Sequence, residues 1–121
     1  MRFFSEKLKG LIKEGKVLQV IIVDSEGLVV EAMGKYYDPE VFASVFLPFE
    51  QVLKKIQYIL KVDEIEEISL RTEGKKIRII LRNFFIADMK FLLIAVCPIS
   101  IPYRQIMTEI AHSDSEGILQ M

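Results

Sequence analysis

The chain has 121 residues, 51% of them hydrophobic and 27% charged, which fits one domain with a substantial core and excludes a disordered chain. A formal net charge of −1 supplies no global basic field for nucleic acid and no acidic tail for cations. One cysteine, Cys97, precludes an intrachain disulfide and suits a reducing compartment. It ends an apolar run beside Pro98 and reads as a small buried hydrophobe rather than a nucleophile. The first residues, Met1 to Lys7, become charged too soon for a signal peptide. The longest apolar stretch, Phe91 to Ile101, is far shorter than a membrane span. The expectation is a cytoplasmic protein without membrane insertion.

Residues 3 to 14 place Phe4, Leu8, Leu11 and Ile12 on one helical face. Gly15 supplies a C-terminal stop, and Gly10 weakens the helix. Val17 to Val23 is nearly all apolar and β-branched, the pattern of a strand buried on both faces. Asp24 to Gly27 forms a turn with Gly27 free to take positive φ, and Leu28 to Met33 returns as the second strand of a hairpin. Asp38-Pro39-Glu40 opens a helix, with Asp at the N-cap and Pro at the first helical position. That helix runs to about Lys61. Phe42, Val45, Phe49, Val52, Ile56 and Ile59 form its expected core stripe, widened by Phe46, Leu53 and Leu60. Pro48 removes one hydrogen bond and predicts a kink.

Ile65 to Thr72 and Ile77 to Arg82 alternate as strands around a Glu73-Gly74-Lys75-Lys76 turn, and Phe84-Phe85 extends the second. Asp88 to Lys90 reads as another turn. Phe91 to Val96 is a second continuous apolar strand, ended by Pro98 and Pro102. A last helix covers about 103 to 112, with a loose tail from 113 to 121. The expected class is α/β, an α+β sandwich of one domain over residues 1 to 112. Its five-stranded antiparallel sheet has the long helix on one face and the N- and C-terminal helices on the other. The two apolar strands lie side by side in its middle, and Ile65 to Thr72 falls at an edge.

No chemistry assembles from these elements. Gly10 to Val17 nearly spells a phosphate-binding loop, but the last position has no hydroxyl, and the helix comes before the strand instead of after it. His112, the one histidine, suits a helix C-terminus. With Cys97 it makes no zinc spacing. Asp24 and Ser25 are turn residues without a nucleophile elbow. Glu64, Glu66 and Glu67 read as a solvated strand entry. Arg71, Arg78 and Arg82, near Lys75 and Lys76, read as cross-strand pairing with Glu67 and Glu73 before they read as an anion site. No catalytic residue, cofactor or metal is expected, and an enzyme is the least supported class.

Two features point to an interface. Ile65 to Thr72 is an edge strand with no proline or glycine to deter pairing, so its own copy is a natural partner. Opposite the helix stripe, at about 100° per residue, lie Ser44, Leu47, Gln51, Lys54, Lys55 and Tyr58, of which Leu47 and Tyr58 carry apolar surface.

The order of elements resembles the Roadblock/dynein light-chain domain, particularly its MglB-like branch. The resemblance covers about residues 3 to 112. It rests on the hairpin Val20-Ile21-Ile22-Val23-Asp24-Ser25-Glu26-Gly27-Leu28-Val29-Val30, the long helix after Asp38-Pro39 and the hairpin around Gly74. Pro48 and Phe84-Phe85 depart from the plain pattern. The resemblance implies a profilin-like fold and a dimer, of one chain or with a paralogue. In it the third strands pair and the long helices lie side by side. It also implies a small Ras-like GTPase as partner. Hydrolysis is then stimulated by rearranging the GTPase's own residues, with no catalytic arginine supplied. Carried to this chain, Ile65, Ile68, Leu70 and Thr72 are dimer-strand positions. Ser44, Leu47, Gln51, Lys54 and Tyr58 are helix-face contacts with the partner or the second copy. The alternatives are a scaffold in a motor or signalling assembly without GTPase contact, and a small-molecule sensor, which needs an internal cavity.

Overall fold

The computed structural model describes residues 6–46, 48–74 and 76–101. Leu47, Lys75, the 103–112 helix with His112, and the 113–121 tail lie outside the described residues. Helix α1 (Glu6–Lys13) is followed by β1 (Gln19–Asp24), β2 (Val29–Gly34), α2 (Pro39–Phe46), α3 (Phe49–Leu60), β3 (Glu67–Arg71), β4 (Ile77–Ile86) and β5 (Met89–Pro98). Among the described residues the strands form a five-stranded sheet in the order β2-β1-β5-β4-β3, with every pairing antiparallel.

β1 and β5, the two strands without polar alternation, are neighbours inside the sheet. Both of their faces are covered. Val20, Ile22, Leu93, Ala95 and Cys97 pack with Leu8 and Leu11 of α1 on one side. Ile21, Val23, Ile94 and Val96 pack with Phe42, Ala43 and Phe46 of α2 on the other. Each fully buried aliphatic side chain here contributes about 1.5–3 kcal/mol relative to exposure, so the paired central strands carry most of the core.

The ends of the elements follow local chemistry. Gly15 takes φ +76 beyond α1, and the Lys16 N–H donates to the Leu11 carbonyl. Asp24 Oδ1 accepts from the N–H groups of Glu26 and Leu28, which shapes the β1–β2 loop around Gly27 at φ +87. Asp38 Oδ1 caps α2 through the N–H groups of Glu40 and Val41.

Three expectations are corrected. The long helix is two helices: α2 ends at Phe46 and α3 begins after Pro48, because the proline lacks an N–H and its ring clashes with the carbonyl four residues earlier. The hairpin between β4 and β5 turns at Ala87-Asp88, at φ +48 and +69. This is the left-handed geometry of a two-residue loop, which an alanine does not advertise. Most consequential, much of the expected core stripe does not meet the sheet. Val45, Val52, Ile56 and Ile59 are exposed. α3 rests on the sheet through Phe49, Leu53 and Gln57, which are half-buried. At about 100° per residue the apolar stripe is turned well to the side of that contact line.

Candidate interaction surface

The first component is α3. None of its residues is buried. Val52, Ile56 and Ile59 project from one side at 48%, 37% and 71% exposure, continued by Val45 of α2 at 62%. Leu60 and Val62 extend the exposed apolar surface at the helix end. Several large apolar side chains exposed on one helix make this face a candidate for contact. The helix is held from below by Lys90 of β5, whose Nζ donates to Glu50 Oε1 and lies 3.9 Å from Glu64. These groups form an ion bridge between the sheet, α3 and the segment leading to β3. Beneath α3 is a hollow of about 50 Å³ lined mainly by apolar side chains, including Phe46, Phe49, Leu53 and Leu81.

Of the helix residues singled out from sequence, Ser44, Gln51, Lys54 and Tyr58 are exposed, Tyr58 at 86%. Ser44 Oγ donates to the Val41 carbonyl. They lie away from the sheet contact line, and beside them runs the Val52-Ile56-Ile59 stripe that periodicity assigns to the core. The signal that reveals the stripe is apolar breadth: α3 carries more apolar surface than one sheet contact can cover.

The second component is β3, which pairs only with β4 among the described residues and so lies at the sheet edge. Ile68 and Leu70 pack inward against the α2-side core. Ile65 is half-buried before the strand and shares a hollow with Leu53 and Ile68. Thr72 lies just past the strand, where its N–H and hydroxyl both donate to the Ile77 carbonyl and close the β3–β4 hairpin. The Thr72–Ile77 bond and the Asn83 N–H to Glu66 carbonyl bond fix the in-plane direction of every peptide group. In an antiparallel ladder these directions alternate. The even-numbered residues address β4, and Glu67, Ser69 and Arg71 turn their N–H and C=O groups to the open side. Those three side chains are also exposed.

The register sets Glu67 opposite Arg82, a cross-strand charge pair, and Arg71 opposite Arg78, a like-charge pair. The other titratable candidates are occupied structurally. Asp24 shapes a loop, and Cys97 is fully buried. Burial pushes the Cys97 thiol up to about 11, against the opposing pull of Arg78. Among the described residues no group of three or more His, Cys, Asp or Glu side chains could hold a metal ion. No helix among them is long and apolar enough to cross a membrane.

No protein-family model matches the sequence, and no curated protein matches it. Solved structures do resemble the fold. MglB of Myxococcus xanthus superposes with a TM-score of 0.70 at 16% identity, over 88% of this chain and 85% of that one. The gliding protein MglB of Thermus thermophilus gives 0.68 at 13% identity, over 90% and 81%. A Roadblock/LC7 domain from Streptomyces avermitilis gives 0.71 at 10% identity, over 92% and 91%. The chain is thus similar to these domains along nearly its whole length, and its fold is that of a Roadblock/MglB-like domain.

Proposed function

We propose that this chain is a non-catalytic adaptor of the cytoplasm that forms a dimer and receives a small Ras-like GTPase on its helical surface. The carrying observation is the uncovered apolar side of α3, with Val52, Ile56 and Ile59 exposed on a helix that fully buries none of its residues. Monomeric soluble domains do not ordinarily leave such a stripe to water. The likeness to MglB structures supports the reading at the level of fold.

In this reading the apolar stripe and the open edge of β3 meet a second copy or a paralogue. Ser44, Gln51, Lys54 and Tyr58 meet the dimer mate or the GTPase. Tyr58 is an apt anchor, since a large amphipathic ring suits an interface centre. Ile65, Ile68, Leu70 and Thr72 are positions of the dimer strand, with Ile68 and Leu70 also packed on the chain's own core. Hydrolysis is stimulated by rearranging the GTPase's own residues, and no cofactor takes part.

The test is co-sedimentation with Ras-like GTPases from the same cell, each loaded with GDP or a non-hydrolysable GTP analogue, followed by a hydrolysis assay. Stable binding of one nucleotide form and faster GTP hydrolysis support the proposal. A well-formed dimer that binds neither form of any such GTPase overturns it.

A further inference from the structure

We infer that β3 specifies its own partner. It pairs with β3 of a second copy of this chain about a two-fold axis at Ser69, in the register that sets Glu67 of each copy against Arg71 of the other. The inference rests on the dimer proposed above and adds its register and its selectivity.

The strand reads Glu67-Ile68-Ser69-Leu70-Arg71, and antiparallel pairing about its central residue turns this sequence onto its complement. Glu67 meets Arg71 of the second copy, Ile68 meets Leu70, and Ser69 meets itself. The peptide directions agree. Glu67, Ser69 and Arg71 face the open side, so each of these pairs exchanges an N–H···O bond in both directions.

Neighbouring registers that use the same outward groups are worse. An axis at Ile68 sets Glu67 against Ser69. An axis at Leu70 sets Glu67 against Glu73. An axis at Glu67 or Arg71 places like charges on each other, which is destabilising for directly opposed residues.

The register also accounts for Arg71. Its own chain places it opposite Arg78, and among the described residues no carboxylate lies within ion-pair distance of it. In the paired sheet its counter-charge comes from Glu67 of the second copy. Glu67 in turn lies between Arg82 of its own chain and Arg71 of the other. A foreign edge strand without an acid and a base two residues either side of its centre does not match. The code therefore selects a copy of this chain over a dissimilar strand.

The experiment uses Glu67→Arg and Arg71→Glu, alone, mixed and combined in one chain, with dimerisation followed by sedimentation equilibrium. Each single variant turns both inter-copy attractions into repulsions, and its self-affinity should fall by about tenfold or more. Mixing the two single variants should restore dimers, because every Arg then meets a Glu. The doubly substituted chain should again pair with itself. Arg71→Glu places an acid opposite Arg78, so its folding is not compromised, and a thermal melt of the monomer checks this. Ser69→Cys gives an independent readout. The hydrogen-bonded pair places the two Cα atoms about 5.5 Å apart, within disulfide range, so oxidation should link two copies covalently while buried Cys97 stays reduced.

If the parent is dimeric but the single variants dimerise equally well and Ser69→Cys does not cross-link, the register is overturned and the dimer stands. If the parent is a single chain at every concentration, the dimer reading falls with it.

Discussion

Gln19 and Tyr37 are joined through both ends of one amide. Gln19 Nε2 donates to the Tyr37 carbonyl at 2.8 Å, and the Tyr37 N–H donates to Gln19 Oε1 at 3.0 Å. Gln19 is fully buried at the start of β1, so its side chain replaces a strand neighbour for the linker that carries the chain from β2 to α2. Tyr37 then stacks on Phe42, whose ring meets Phe46 edge-on. The amide therefore sets where α2 lands on the sheet.

Gln19→Leu keeps the volume and removes both bonds. Stability should fall by about 2–3 kcal/mol, since the backbone groups it served lose their partner. Urea denaturation measures this. A loss below about 0.5 kcal/mol would show that the linker holds its place without the amide.

Two glycines should respond oppositely to alanine. Gly34 has φ +84, and an added Cβ would lie 2.3 Å from the Leu18 carbonyl oxygen. Gly34→Ala should therefore cost about 2 kcal/mol or more. Gly10 lies within α1 with open space where a Cβ would go, and Gly10→Ala should add about 0.5–1 kcal/mol. Thermal melts of the two variants, moving in opposite directions from the parent, check both.

Cys97 should be inert in the folded protein. Its thiol is pushed from the ordinary 9.0 up to about 11, mainly by burial. A disulfide reagent at about pH 8, just below the ordinary thiol range, should leave the native chain unmodified and titrate one thiol after denaturation. Because the unfolded thiol ionises first, its share of stability is complete below about pH 9. That share is lost as the pH rises towards about 11. Rapid modification of the native protein would place Cys97 at the surface.

The α3 stripe should matter for association and not for folding. Ile59→Glu exchanges an exposed apolar side chain for a soluble one. It should change monomer stability by less than about 0.5 kcal/mol, while weakening the dimer by roughly 1–2 orders of magnitude. Tyr58→Ala should weaken binding at its own contact by about 1–2 kcal/mol. Sedimentation and denaturation, run side by side, separate the two effects. If Ile59→Glu destabilises the monomer, the stripe belongs to the protein's own core.

Much of the fold is legible in residue patterns. Val20 to Val23 and Phe91 to Val96 lack polar alternation, which forces both into the sheet interior. Asp38-Pro39 and Gly27 place a helix start and a turn by chemistry that acts within a few residues. The misreadings share one physical cause. Periodicity shows which side chains of α3 share a face, but not whether that face meets the sheet, so it assigns Val52, Ile56 and Ile59 a sheet contact that they do not make. The pairing of Gln19 with Tyr37, and the close approach of Gly34 to Leu18, arise between segments distant in sequence and leave no local signal. Ala87-Asp88 turns because β4 and β5 pair in register on both sides of it, not because either residue favours the conformation. At the edge, patterning finds the strand. Only the register shows that Glu67, Ser69 and Arg71 face outward, while Ile68, Leu70 and Thr72 address the chain itself.

That distinction selects the most direct test. Leu70 packs into the core, so a charge there damages the monomer. The Ser69 N–H points away from β4, and Ser69→Pro removes a donor that the chain does not use internally. The measurement is molar mass by light scattering across a concentration series, for the parent and for Ser69→Pro. The prediction is the mass of two chains for the parent, and of one chain for a variant that keeps the parent's circular dichroism. A variant that remains as dimeric as the parent, or a parent with the mass of one chain at the highest concentration, would contradict the account.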